Sequence, residues 1–103
     1  MLIAQFSDLH LRATPPAGAR VDTTALLRAC VQDLCARDPG PDLLLLSGDL
    51  SDSGHAADYA LLRQLVQPLQ ALGLPILPLP GNHDQRATLR HACADWLQAC
   101  QGL

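Results

Sequence analysis

Polar side chains that can bind metal ions or transfer protons follow three apolar runs of the sequence. They are Asp8, His10, Asp49, Asn82, His83 and Asp84. Carboxylate, imidazole and amide groups together form a mixed oxygen and nitrogen site, which suits Mn, Fe or Zn better than a metal that prefers thiolates. A carboxylate such as Asp49 can bridge two cations about 3.5 to 4 Å apart, and such a pair activates water and binds a phosphoryl group. The residue types therefore predict a two-metal site for phosphoryl chemistry.

Each of the three motifs has a simpler interpretation when it is taken alone. The Asp-x-His pair at Asp8 can be two solvated loop residues, and Gly-Asp at Asp49 can be an ordinary turn. Gly-Asn-His-Asp can be a turn before a helix, with Asp84 favoured by the helix dipole. All three motifs occur in order after apolar runs, and this coincidence favours the metal site.

The apolar runs and the segments between them predict the elements that position these residues. Strands are expected at Leu2 to Phe6, Leu43 to Leu46 and Leu74 to Leu79, and helices at about Asp22 to Arg37, Ala56 to Leu72 and Asp84 to Cys100. Ser53 is the expected N-cap of the second helix, and Pro68 is expected to kink or split it. The order β-α-β-α-β-α predicts an α/β fold with a parallel sheet, whose strands deliver their following loops to one edge. One long irregular loop is expected at Leu11 to Arg20.

Composition describes one globular domain with a weakly acidic surface. The chain has 103 residues, of which 49% are hydrophobic, and ten acidic residues against seven basic ones. The basic residues are scattered, which argues against binding to nucleic acid or to an anionic membrane. With neither a signal-peptide pattern nor a membrane-spanning apolar run, the expected location is the cytoplasm. The four cysteines lack metal-site spacing and are expected to be buried reduced thiols.

Three stretches resemble a known family. The segments "FSDLHL", "LLSGDLSDSG" and "LPGNHDQR" resemble the first three motifs of the calcineurin-like metallophosphoesterases, and the resemblance runs from Leu2 to about Arg90. Within that superfamily the chain is most similar to the bacterial class III cyclic-nucleotide phosphodiesterases. The additional matching features are "VDT" at Val21 to Thr23, Pro41-Asp42, Tyr59 and Arg86.

The resemblance implies a role for each motif residue. Asp8 and His10 would bind the first metal ion, Asp49 would bridge both ions, and Asn82 would bind the second. His83 would protonate the leaving oxygen, and Asp84 would orient its ring. The implied reaction is attack of a metal-bound hydroxide on a small phosphodiester such as 3',5'-cyclic AMP, with two Mn or Fe ions or, alternatively, Zn.

The chain departs from the family in one respect. The family completes its metal centre with a later His and a Gly-His-x-His motif, and its domain is an αββα sandwich about twice as long. His55 and His91 do not match those positions and are expected to be surface or packing residues. Residues 1–103 are therefore expected to be the N-terminal half of such a domain, with an uncovered apolar sheet face. The alternative function is that of a truncated, inactive half-domain that self-associates or pairs with a partner.

Overall fold

A computed structural model describes residues 1–14 and 22–101 of the chain. The elements are β1 (Ile3–Ser7), α1 (Thr23–Cys35), β2 (Leu43–Ser47), α2 (Ala56–Ala71), β3 (Ile76–Leu79), α3 (Arg86–Ala92) and α4 (Ala94–Ala99). The strands form one sheet in the order β1-β2-β3, and both pairings are parallel. The predicted α/β fold is confirmed. Of the predicted irregular loop, residues 15–20 lie outside the described part of the chain, as does Val21.

Helix α1 forms where the apolar spacing predicts it. Asp22 is its N-cap, and the Asp22 carboxylate accepts a hydrogen bond of 3.0 Å from the backbone N–H of Ala25. Leu27, Val31 and Leu34 are buried, and their spacing of three and four residues places them on one side of the helix. The helix therefore buries one apolar stripe against the rest of the molecule.

Helix α2 differs from the prediction at its start and at Pro68. His55, rather than Ser53, is the N-cap, because the Ser53 hydroxyl instead donates to the Asp58 carboxylate inside the helix. Of the predicted kink or split at Pro68, the split is wrong, since the helix continues to Ala71, and the kink stays a prediction. Proline removes only one N–H from the ladder, while buried side chains on both sides of it, including Val66 and Leu69, anchor the helix to the core.

The third predicted helix is two short helices in the structure. Cys93 lies between α3 and α4 with φ −116° and ψ 24°, outside helical geometry. The change of direction allows α3 to pack against α2, and α4 against β3. Leu89 and Trp96, one on each side of the break, are both buried.

An ion pair fastens α4 to α2. The Arg63 guanidinium donates two hydrogen bonds of 2.8 Å to the two carboxylate oxygens of Asp95, and it lies 4.6 Å from the centre of the Trp96 ring. The planar guanidinium suits both contacts, since it can bind a carboxylate through two N–H groups and also lie over an aromatic face.

The two faces of the sheet are covered differently. Leu44, Leu46 and Ile76 are buried on the face that the helices cover. Because side chains alternate along a strand and parallel partners in register point the same way, Ile3 and Leu79 lie on the opposite face. Their side chains are 50% and 43% exposed. The uncovered apolar face that the sequence predicts is therefore present.

The cysteines are less buried than expected. Cys93 is buried, Cys35 and Cys100 are partly buried, and Cys30 is exposed. The expectation is wrong for Cys30 because it lies beside, and not within, the buried stripe of α1. Burial raises the pKa of the Cys93 thiol to about 11, so it stays protonated. Within residues 1–14 and 22–101, no helix has the length and apolar character needed to cross a bilayer.

Candidate metal centre

The loops that follow the three strands meet at one edge of the sheet. The loop after β1 runs beside the loop after β2: the N–H of His10 donates to the Asp49 carbonyl at 2.8 Å, and the N–H of Leu11 donates to the Leu50 carbonyl at 3.0 Å. The loop after β2 is joined to β3 by a 3.0 Å hydrogen bond from the Gly48 N–H to the Leu79 carbonyl. All three predicted motifs therefore lie at the carboxyl edge of the sheet, where parallel strands place binding sites.

Three predicted ligands have an unusual backbone conformation. Asp8, His10 and Asp49 have φ values of 56°, 45° and 46°, in the left-handed region. Such a conformation costs a residue with a Cβ roughly 1 to 3 kcal/mol. The surrounding hydrogen bonds hold these residues in place, and strain of this kind is concentrated at functional sites.

Potential ligand atoms of His10, Asp49 and His83 lie within 4.8 Å of one another. Nε2 of His10 is 3.7 Å from Oδ2 of Asp49. The backbone N–H of His83 donates to Oδ1 of Asp49 at 2.7 Å, and the rings of His10 and His83 meet edge to face with centroids 5.1 Å apart. Two imidazoles and a carboxylate form a donor set that fits a divalent transition metal.

The other predicted ligands lie around this trio. Asp8 is exposed, and its Oδ1 is 3.6 Å from the point where a Cβ on Gly48 would lie. Asn82 is exposed in the turn after β3, next to His83. The trio thus contains two of the four predicted ligands, together with His83, which the family resemblance places outside the metal shell. Metal binding by Asp8 and Asn82 stays a prediction.

Gly81 allows the third loop to approach the second. A Cβ at this position would overlap the backbone nitrogen and Oδ1 of Asp49, and it would lie 2.9 Å from the Gly48 Cα. A real Cβ never comes so close to backbone atoms, so only glycine fits here. The close approach of two backbone segments therefore requires glycine at this position.

Asp84 connects the second and third loops to α2. Its carboxylate accepts hydrogen bonds from the backbone N–H groups of Leu50, Ser51 and Gly81 at 3.0, 2.8 and 2.8 Å. It also accepts a 2.9 Å bond from the Tyr59 hydroxyl. Burial raises the pKa of Tyr59 far above its usual range, so the phenol stays protonated and donates.

The His83 ring has a different partner from the one expected. Its Nδ1 lies 3.0 Å from the backbone carbonyl oxygen of Asp52, whereas all four hydrogen bonds to Asp84 described above come from other groups. A carbonyl oxygen only accepts, so Nδ1 carries the proton in this bond. That hydrogen bond, together with the nearby carboxylates of Asp49, Asp52 and Asp84, raises the pKa of His83.

Asp52 is a second charged residue of the site. Oδ1 of Asp52 is 3.1 Å from Nδ1 of His10, and Oδ2 accepts a 2.5 Å hydrogen bond from Nε of Arg12. Burial by itself would raise the pKa of Asp52, but the hydrogen bonds from Arg12 and His10 outweigh it, and the pKa lies below its usual range. Asp52 therefore stays ionised and holds the His10 ring.

Asp58 joins the first two loops to the first turn of α2. The side chain is nearly fully buried, at 4% exposure. It accepts hydrogen bonds of 2.7 Å from the hydroxyls of Ser51 and Ser53, and one of 2.9 Å from the Ala13 N–H. Burial alone would raise the pKa of Asp58, but the hydrogen bonds from these three donors lower it by a larger amount. The pKa of Asp58 therefore lies below its usual range. A buried carboxylate is stable here because each bond is charge-assisted.

The family follows from a comparison with known proteins. A family model described as calcineurin-like phosphoesterase matches residues 1–101. The chain belongs to the calcineurin-like phosphoesterase family. The resemblance in the three motifs is therefore confirmed over nearly the whole chain.

The phosphoesterase relatives include several bacterial enzymes. The chain is 46% identical over 92 residues to a probable cyclic nucleotide phosphodiesterase of Synechococcus, a match that covers 88% of this chain and 34% of the relative. It is 37% identical over 95 residues to the 3',5'-cyclic adenosine monophosphate phosphodiesterase CpdA of Pseudomonas aeruginosa, covering 89% and 33%. It is 35% identical over 88 residues to the glycerophosphodiester phosphodiesterase GpdQ of Enterobacter lignolyticus, covering 84% and 31%. The chain spans about a third of the length of these relatives.

Sequence reasoning missed three residues of this phosphoesterase site. Asp52 lies in the same loop as Asp49, and its position near a predicted ligand is the only signal that could have indicated it. Arg12 gives a signal of the same kind, because it lies two residues after His10. Asp58 gives none, because it lies nine residues from Asp49 and joins the site through hydrogen bonds that only the fold shows. His55 and His91, which are not expected to be ligands, are both exposed, and His55 lies at the start of α2.

Proposed function

We propose that this chain forms part of a metal-dependent phosphodiesterase that acts on a small phosphodiester such as 3',5'-cyclic AMP. The observation that carries the proposal is the convergence of His10, Asp49 and His83, whose potential ligand atoms lie within 4.8 Å at the carboxyl edge of the sheet. Two relatives are named for cyclic nucleotides and a third for glycerophosphodiesters, which supports a small phosphodiester substrate.

The donor set fits the implied metal ions. Asp8, His10, Asp49 and Asn82 would hold two divalent cations, Mn or Fe in preference to Zn, with Asp49 between them. Such ions would supply an activated water and neutralise charge on the phosphoryl oxygens. The scattered arginines and the acidic balance of the chain support a small substrate in preference to nucleic acid.

His83 would hold the proton for the leaving oxygen. Its Nδ1–H is fixed on the Asp52 carbonyl, so Nε2 is the atom that can exchange a proton with a ligand. The raised pKa favours the protonated ring, the form that a general acid needs. Asp84 would position His83 indirectly, because its hydrogen bonds to three backbone N–H groups fix the loop that carries His83.

Two substitutions separate metal binding from proton transfer. In a protein that contains the completed domain, Asp49→Ala should abolish Mn²⁺-dependent hydrolysis of 3',5'-cyclic AMP and lower the Mn²⁺ content. His83→Ala should keep the Mn²⁺ content and lower mainly kcat, by about 10² to 10⁴-fold. Asp33→Ala, which removes an exposed carboxylate of α1, is the control and should change neither quantity. Equal loss of Mn²⁺ in the two site variants would make His83 a ligand and refute the division of roles.

The uncovered sheet face favours the alternative function, in which the chain pairs with another surface. Ile3 and Leu79 are large, exposed and on this face. An apolar face of this kind promotes association. Sedimentation of the purified chain tests self-association: a species larger than 11.0 kDa supports it, and a monomer at all concentrations contradicts it. The cytoplasmic location stays a prediction.

A further inference from the structure

A cavity of about 400 Å³ lies directly beside the candidate metal centre. Its wall includes Arg12 from the loop after β1, Asp52, Ser53 and His55 from the loop after β2, and Ala57 and Asp58 from α2. Asp52 belongs to both places: its carboxylate lines the cavity and contacts His10, and its carbonyl binds His83. A ligand whose phosphoryl group lies at the metal centre can therefore extend into the cavity.

The charges of the wall do not suit an anion. Two N–H groups of Arg12 point to Oδ2 of Asp52, so its positive charge is neutralised within the wall. Asp58 adds a second carboxylate, and its three donors are already engaged with it. One guanidinium against two carboxylates disfavours a second phosphate in this space.

Neutral polar groups find partners there. The His55 ring is held through Nδ1 by the Ser53 hydroxyl at 3.0 Å. In the part of the chain that the structure describes, no hydrogen bond uses the other nitrogen of this ring. Because the Ser53 hydroxyl donates its one hydrogen to Asp58, Nδ1–H of His55 donates to the Ser53 oxygen. The other nitrogen of the neutral ring is then an acceptor for a hydroxyl group of a ligand. The cavity volume falls within the range of small-molecule sites.

We propose that this cavity binds the neutral, hydroxyl-bearing alcohol part of the phosphodiester. The inference rests on the proposed function and extends it, because it names the part of the substrate that gives selectivity. This alcohol part is a sugar or a glycerol group attached to the phosphate. Substrates that carry a second phosphate in that position, such as pyrophosphates, are disfavoured by the charge of the wall.

Binding of four ligands to the Mn²⁺-loaded protein tests the proposal. Inorganic phosphate reports on binding at the metal centre alone. 5'-AMP carries a nucleoside and glycerol 3-phosphate a glycerol group on the same phosphate. Pyrophosphate carries a second, charged phosphate in place of the alcohol. We expect 5'-AMP, glycerol 3-phosphate or both to bind at least tenfold tighter than phosphate, by calorimetric titration. The ligand that shows the higher affinity tells whether the cavity binds a nucleoside or a glycerol group. A gain for pyrophosphate alone would overturn the proposal.

A matched pair of variants locates the effect. Ala57→Leu places a larger side chain in the cavity, whereas Ala60→Leu makes the same change on an exposed position of the same helix. Ala57→Leu should lower the affinity ratio of the alcohol phosphate to inorganic phosphate by about tenfold or more. Ala60→Leu should leave that ratio unchanged.

The remaining outcomes are also decisive. If circular dichroism shows that Ala57→Leu is unfolded, His55→Ala replaces it, and an unchanged ratio in the folded variant would overturn the proposal. A protein that binds Mn²⁺ and phosphate but shows no gain for either alcohol overturns the cavity assignment only. A protein that binds neither Mn²⁺ nor phosphate overturns the proposed function, and the cavity assignment falls with it.

Discussion

Replacing Asp84 by alanine should destabilise the protein more than removal of any exposed carboxylate. The Asp84 side chain joins three parts of the chain, because its two oxygens accept from the N–H groups of Leu50, Ser51 and Gly81 and from the Tyr59 hydroxyl. Truncation leaves four donors without this acceptor. The loops after β2 and β3 then lose their direct connection through the carboxylate.

The size of the effect follows from these contacts. A hydrogen bond to a charged group contributes about 1.5 to 3 kcal/mol, and a buried donor that loses its partner costs about 1 to 3 kcal/mol. Asp84 is partly exposed, so water can replace part of what is lost. We therefore expect the free energy of unfolding to fall by about 3 to 5 kcal/mol, which is a large share of the roughly 5 to 15 kcal/mol typical of a domain.

Urea unfolding, followed by the fluorescence of the single tryptophan Trp96, measures this change. Asp84→Asn retains one acceptor oxygen and should lose less than Asp84→Ala. Asp33→Ala is the matched control: the Asp33 carboxylate forms an exposed ion pair with Arg37 on α1, and its removal should cost at most about 0.5 kcal/mol. A cost below about 1 kcal/mol for Asp84→Ala would show that the loops are held together by other contacts, and the reasoning would be wrong.

Two further predictions concern a glycine and an ion pair. Gly81→Ala should abolish Mn²⁺ binding in a titration, because its Cβ would overlap Asp49, whereas Gly40→Ala, whose Cβ would meet a carbonyl oxygen at 3.6 Å, should bind Mn²⁺ as the parent does. The hydrogen bond from Arg63 lowers the pKa of Asp95 below its usual range, so the stability that the bond gives is present above the usual pKa of an aspartate and is lost as the pH falls through the lowered pKa. Asp95→Asn should therefore lose less stability than the parent between about pH 6 and pH 2.5, measured by urea midpoints, and an equal loss would contradict this.

The sequence determined the elements and the edge at which the site lies. The stripe of Leu27, Val31 and Leu34 predicts α1, because a helix with this spacing buries one side. The apolar runs predict the parallel strands, and the rule that parallel strands end at one edge brings Asp8, Asp49 and His83 to the same region. These predictions depend on local periodicity and chain order, which a single sequence contains.

Tertiary structure decided which side chains contact one another at that edge. The Asp84 carboxylate binds backbone N–H groups of another loop, and Asp58 binds the Ala13 N–H, although neither pair is close in sequence. The break at Cys93 follows from two packing partners, α2 and β3, that compete for one helical segment. Hydrogen bonds and packing between distant segments depend on the relative placement of loops to within a fraction of an ångström, and sequence periodicity does not encode such distances.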